Sequence, residues 1–160
     1  MKKNRYKTIF LAVISLIIAV RAFAEPYRVH GDCMEPAVSE GQLCFLNRVS
    51  PYLRQYKIGD IIVFKHEGKP WISRIVALEN DTIEITEDNV LVHGTTLQDA
   101  PDIHRNWSDW RHGIYAIEKP FQVPLNHVFV LCDKLSSQHD DSRVFGAVPT
   151  ESIEGLIWMP

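Results

Sequence analysis

From Tyr27 onward, turn-forming residues recur so often that no long helix fits between them. Ser39-Glu40-Gly41, Ile58-Gly59-Asp60, Glu67-Gly68-Lys69-Pro70 and Glu79-Asn80-Asp81 break the chain at the intervals of antiparallel hairpins. The segments at 42–47, 61–65, 71–78, 82–86, 90–92, 127–132 and 155–158 are short and rich in Val, Ile, Leu and aromatic residues, and read as strands. Residues 49–56 have room for one helical turn, limited by Pro51. Between 98 and 118 the text becomes polar and aromatic, with Trp107, Trp110, Tyr115, His104 and His112, which reads as an inserted loop or irregular hairpin. The expected fold class is mostly β: one antiparallel domain over 25–160. At 160 residues and 46% hydrophobic, the chain carries enough apolar material for a single core.

The first 24 residues are of another kind. Lys2, Lys3, Arg5 and Lys7 precede an unbroken apolar run over 8–20, the layout of an export signal. That run is shorter than the ~20 residues of a usual spanning helix. Ala22-Phe23-Ala24 has the small-x-small form of a cleavage site, whereas Arg21 can snorkel at the far interface and leave 9–24 as a short uncleaved anchor. In both readings the basic residues stay in the cytoplasm and the rest is exported. The expected location is therefore the bacterial inner membrane facing the periplasm or cell exterior, or the periplasm itself after cleavage. Disulfides are permitted there, and an odd count of three cysteines leaves at least one thiol unpaired within the chain.

A net charge of -3 without a local basic patch excludes a nucleic-acid partner. The seven histidines lack the close paired spacing of a zinc site, so neither metal nor cofactor is expected.

Three segments carry the chemistry. They are Gly31-Asp32-Cys33-Met34-Glu35-Pro36; Gly59 to Phe64 leading into Trp71-Ile72-Ser73-Arg74-Ile75-Val76; and Asp133 through Asp141-Ser142-Arg143 to Gly146-Ala147-Val148-Pro149. Their order and spacing, behind an N-terminal hydrophobic segment, resemble the type I signal peptidases, serine/lysine membrane proteases that remove signal peptides. The resemblance covers nearly the whole chain. It implies a peptidase whose substrate is an exported precursor bound as an added extended strand, with small pockets selecting Ala-x-Ala-like sites.

This sequence departs from the family at both catalytic positions. Cys33 stands where the family has its nucleophilic serine, and Ser73 where it has the general-base lysine. The two changes are chemically linked, because a thiol with a pKa near 8.5 is already a few per cent thiolate at neutral pH and needs less help than a hydroxyl. A proton donor for the leaving amine is still required. His139 falls where the resemblance implies a serine beside the lysine nitrogen, which suggests a Cys33–His139 dyad, with Asp140 or Asp141 holding the second ring nitrogen. The oxyanion hole is expected from backbone N–H groups at and near Cys33, with Gly31 permitting close approach. Met34 and Pro36 are expected to shape the turn and one groove wall, Ile72 to line the pocket for the residue before the cut, and Asp133 and Arg143 to form a structural ion pair.

Two other readings compete. With both family residues replaced, the chain can be an inactive relative that keeps the groove as a peptide-binding chaperone or assembly factor, for instance in pilus biogenesis. The thiols can also serve redox or structural ends, since Cys132 replaces a family glycine near the site and Cys33–Cys132 and Cys44–Cys132 bridges are both conceivable. For an active enzyme, a pilin or another dedicated conjugative-transfer substrate is the expectation rather than bulk secretion.

Overall fold

The structure is a computed structural model and describes residues 2–23, 25–86, 89–97, 115–117, 119–134 and 140–158. Helix α1 spans Lys2–Phe23. Basic residues at its start and Arg21 in its last turn bracket the apolar run. Among the described residues no helix is long and apolar enough to cross a membrane.

All strand pairs are antiparallel. The larger sheet contains β1 (Glu25–Arg28), β2 (Leu43–Asn47), β3 (Ile61–His66), β4 (Lys69–Ala77), β9 (His127–Leu131), β10 (Val148–Pro149) and β11 (Ile153–Trp158). Its order is β1-β2-β11-β3-β4-β9-β10. The smaller sheet orders β7 (Thr95–Thr96), β6 (Val90–Val92), β5 (Thr82–Ile85) and β8 (Phe121–Gln122) as β7-β6-β5-β8. Helix α2 (Ser50–Leu53) is the single turn anticipated around Pro51, and α3 (Ser142–Phe145) is one more. The seven strands read from the sequence are all present, with ends shifted by two residues or fewer. Trp107, Trp110, His104 and His112 lie outside the described residues.

Strand β3 shows why the middle of the sheet reads as continuous apolar text. Alternate side chains point to opposite faces. Ile61 and Val63 pack with Val29, Met34, Val38, Cys44, Leu46 and Ile72, while Ile62 and Phe64 pack with Ile75, Val128, Val130 and Leu156. Both faces are therefore covered. A third cluster, around Ile83, Ile85, Val90, Phe129 and Leu131, joins the two sheets.

The close approach of β11 to β2 has its own requirement. A Cβ added at Gly155 would lie 2.8 Å from the Asn47 carbonyl oxygen and 2.8 Å from Leu46 Cδ1, and the first of these is backbone that cannot rotate away. Gly155 also sits at the irregularity in the β11–β3 register. Gly155→Ala is expected to destabilise the fold by about 1–3 kcal/mol, the usual cost of overpacking. A thermal melt in which the variant matches the parent would contradict this.

Candidate active site

The Cys33 loop is built from the bottom up. Its base is closed as β1 and β2 diverge, with Val29 N–H donating to Gln42 O at 3.0 Å and Gly41 N–H to Val29 O at 2.9 Å. Gly31 has φ +87°, a left-handed turn that favours glycine. Glu35 N–H then donates to Asp32 O, and Val38 N–H to Met34 O, so the chain winds over Cys33. Met34 and Val38 are fully buried and pin the turn to the core. Met34, expected as a groove wall, thus serves beneath the loop, because its long apolar side chain gains more in the core. Pro36 is exposed and follows a cis peptide bond.

The third segment holds this loop from above. Lys134 N–H donates to Cys33 O at 2.8 Å, and the Lys134 ammonium is paired with Asp32 and, at 3.2 Å, with Glu35. These two carboxylates raise the Lys134 pKa, Asp32 most strongly.

The second segment meets the third through Arg74. Its Nε and Nη2 donate to the two Asp133 oxygens at 2.7 and 2.6 Å, and its Nη1 donates to Gly59 O at 2.9 Å. The anticipated Asp133–Arg143 pair is therefore corrected. Strand register sets Arg74 opposite Leu131, so Asp133 is the diagonal neighbour within reach of its long side chain. Arg143 pairs instead with Asp141, Nε to Oδ1 at 2.8 Å and Nη2 to Oδ2 at 2.7 Å. Asp141 further accepts the backbone N–H of Arg143, capping α3, and that of Cys132 at 3.2 Å. A buried carboxylate so engaged by guanidinium and amides is a framework element, which weighs against its expected role of orienting an imidazole. Ser142 is equally committed, its hydroxyl accepting Val130 N–H.

His139 lies outside the described residues. Asp140 is described and exposed.

The first two segments, with Cys132 just ahead of the third, meet at one small pocket of about 270 Å³, lined by Tyr27, His30, Gly31, Cys33, Lys69, Pro70, Trp71, Ile72 and Cys132. A larger depression of about 680 Å³ around Tyr52, Tyr56, Glu79 and His127 contains no residue of the three segments. Ile72 lines the small pocket. Its carbonyl accepts the Cys33 thiol at 3.6 Å and the Ser73 hydroxyl at 2.7 Å. Ser73 is fully buried and spends its only proton on that carbonyl, so nothing basic occupies the position.

The Cys33 thiol has its pKa lowered. The chief cause is the neighbouring Cys132 side chain, with the Cys33 backbone N–H adding to it, against burial and the charges of Asp32 and Asp133. The same neighbour, joined by burial, pushes Cys132 well above the ordinary thiol range. Cys33 is the more acidic of the two, and the Cys132 thiol donates to Asp140 O at 4.0 Å. All three cysteines are thiols. Among the described residues no group of three or more His, Cys, Asp or Glu could hold a metal ion.

Sequence reasoning missed Lys134 and the pocket-lining residues His30, Lys69 and Trp71. His30 and Lys69 carry no motif: His30 enters the same loop three residues before Cys33, and Lys69 comes to the pocket from the start of β4.

The chain is similar to known proteins along most of its length. Signal peptidase I P of Bacillus subtilis subsp. natto is 30% identical over 155 residues, covering 94% of this chain and 83% of that protein. Probable signal peptidase I-1 of Synechocystis is 29% identical over 164 residues, 91% of this chain and 76% of its own. A crystal structure of signal peptidase I from Enterococcus faecalis is similar over 64% of this chain and 97% of that one, at 25% identity and a TM-score of 0.49. The family model for signal peptidase, peptidase S26, matches residues 2–160, and the chain belongs to that family.

Proposed function

We propose that this protein is a peptidase of the signal peptidase I type that cleaves an exported precursor with Cys33 as nucleophile. The observation that supports it most is the Cys33 sulfur at the wall of a pocket, its thiolate favoured by the Cys132 side chain and by its own backbone N–H. Membership of a peptidase family supplies the reaction class.

The chemistry follows from those contacts. A precursor binds as an extended strand, its small residue before the cut set against Ile72. The Cys33 thiolate attacks the scissile carbonyl carbon, and the resulting oxyanion is stabilised by backbone N–H groups at and near Cys33. An imidazole takes the Cys33 proton and, as imidazolium, gives it to the leaving amine as the acyl-thioester forms; neutral again, it takes a proton from the water that releases the product and returns it to the sulfur. His139 is the proposed imidazole, with Asp140 to orient it. His30, lining the same pocket, is its rival. Ser73 does not titrate and at most steadies the Ile72 carbonyl.

The N-terminal helix fits this role as a membrane anchor or a removed signal. Its apolar side chains, Phe10 and Leu16 among them, are exposed and need a non-aqueous environment. In this reading the β domain faces the periplasm or cell exterior. The altered dyad favours a dedicated precursor such as a pilin or conjugative-transfer subunit.

A second reading has one observation in its favour: the position of the family's general base is a hydroxyl locked onto a carbonyl. On that reading the groove binds peptides without cutting them.

Alkylation of Cys33 by iodoacetamide is expected to rise with pH with a midpoint below that of an unperturbed thiol, because a lowered pKa leaves more thiolate at any pH beneath it. Cys132→Ala should move that midpoint upward by removing the neighbouring side chain. A Cys33 that titrates like an unperturbed thiol in both proteins contradicts the activated nucleophile.

Cleavage of a precursor bearing an Ala-x-Ala site by the full chain in reductant should fall at least about 10³-fold in Cys33→Ala. It should fall roughly 10²–10⁴-fold in His139→Ala and much less in His30→Ala. The reverse order of the two histidine variants would transfer the proton role to His30. No cleavage by the parent of any such precursor, pilin substrates included, leaves the peptide-binding reading.

Expression in a strain depleted of its general signal peptidase should not restore growth. Rescue would remove the dedicated substrate.

A further inference from the structure

We propose that Cys33 and Cys132 form a reversible disulfide that caps the Cys33 sulfur and closes the site under oxidising conditions. The pairing follows from strand register. Strand β9 ends at Leu131, opposite Arg74 on β4, so the next residue, Cys132, continues to the level of Ser73. Ile72, one residue along, offers the carbonyl that holds the Cys33 thiol. Both cysteines line the same pocket. Backbone contacts fix both strands of this meeting: Lys134 N–H holds Cys33 O at 2.8 Å, and Asp141 Oδ2 accepts Cys132 N–H at 3.2 Å.

The two thiols differ as the attacking and resolving members of an exchange pair differ. Cys33 is partly exposed and ionises first, whereas Cys132 is 1% exposed and stays protonated. A disulfide oxidant, either a small disulfide such as oxidised glutathione or a disulfide-exchange protein, supplies the electron sink. The Cys33 thiolate attacks one oxidant sulfur, forming a mixed disulfide and expelling the first thiolate. Cys132 then loses its proton, attacks the Cys33 sulfur and expels the second. The protein gives up two protons and two electrons, and the oxidant leaves as two thiols. A dithiol reductant reverses both steps. Burial of Cys132 keeps large oxidants from reaching it first, so the sequence of attack is set by access.

The meaning of the bridge as an off-switch rests on Cys33 being the nucleophile, but its formation does not. The full chain, fully reduced, is equilibrated in glutathione buffers of increasing oxidised fraction, acid-quenched, alkylated and mapped by mass without reduction. The expected product is a Cys33–Cys132 linked peptide, with the protein two hydrogens lighter, and loss of at least about ten-fold in maleimide labelling of Cys33, restored by dithiothreitol. Cys132→Ser should stop at a glutathione adduct on Cys33, while Cys44→Ala should still form the bridge. An oxidised parent that stops at the same adduct, or that pairs Cys44 with either thiol, overturns the proposal. A chain that bridges but cuts no precursor supports the redox pair and removes the peptidase; one that cuts through Cys33 and never bridges does the opposite.

Discussion

The buried fork between Arg74 and Asp133 is the contact on which the site depends. It ties three distant stretches of sequence at once: the Gly59 turn through its carbonyl, β4 through the arginine itself, and the segment after β9 through the carboxylate. Asp133 is 4% exposed, so its charge has no alternative solvent shell. Losing one partner of such a pair costs about 3–5 kcal/mol, far more than the net contribution of the pair, because the survivor is stranded. The residue after Asp133 is Lys134, whose backbone N–H positions Cys33. Geometry at the sulfur is thus inherited from an ion pair that does not line the pocket. A second buried pair, Asp141 with Arg143, performs the matching task for Cys132 by accepting its N–H.

That framework bears on what favours the Cys33 thiolate. In a buried setting the cheapest way to favour an anion is a fixed donor already in contact, since nothing has to reorganise when the proton leaves. The Cys33 backbone N–H is such a donor, and the neighbouring Cys132 side chain adds the larger effect. Asp32 and Asp133 oppose them, and each is paired with a cation that blunts its field: Asp32 with Lys134, Asp133 with Arg74. The result is a thiol whose pKa is lowered.

The strands were legible because their residues meet two demands at once, apolar text and flanking turn residues. Residues 61–65 are unbroken apolar text apart from Lys65, as a strand covered on both faces must be. Strand β1 was not legible: Glu25, Pro26, Tyr27 and Arg28 lack that pattern, and the strand exists because β2 offers it an edge. The two-residue strands β7, β8 and β10 are likewise held by partners instead of propensity. The site was legible as three motifs, while their pairing was not. Asp133 and Arg143 flank one loop and carry opposite charges, which suggests a pair from sequence alone. A one-residue change of register between β4 and β9 would redistribute the partners, and register is a property of the assembled sheet. Met34 was misplaced for a related reason, since motif position does not say which way a turn residue points.

Lys134 brings an ammonium to the Cys33 loop, and it is natural to ask whether it substitutes for the lysine the family uses. A general base must reach its neutral form near the working pH, which in lysine requires desolvation or neighbouring positive charge. Lys134 has the reverse. Asp32 and Glu35 both favour its charged form and raise its pKa, so it remains an ammonium throughout the physiological range. Its role is to neutralise the acidic residues that flank Cys33 and to hold the loop through its backbone N–H. Lys134 is therefore a structural cation of the loop and not a general base. A thiol asks less of a base than a hydroxyl does, and the neighbouring Cys132 side chain lowers the Cys33 pKa further.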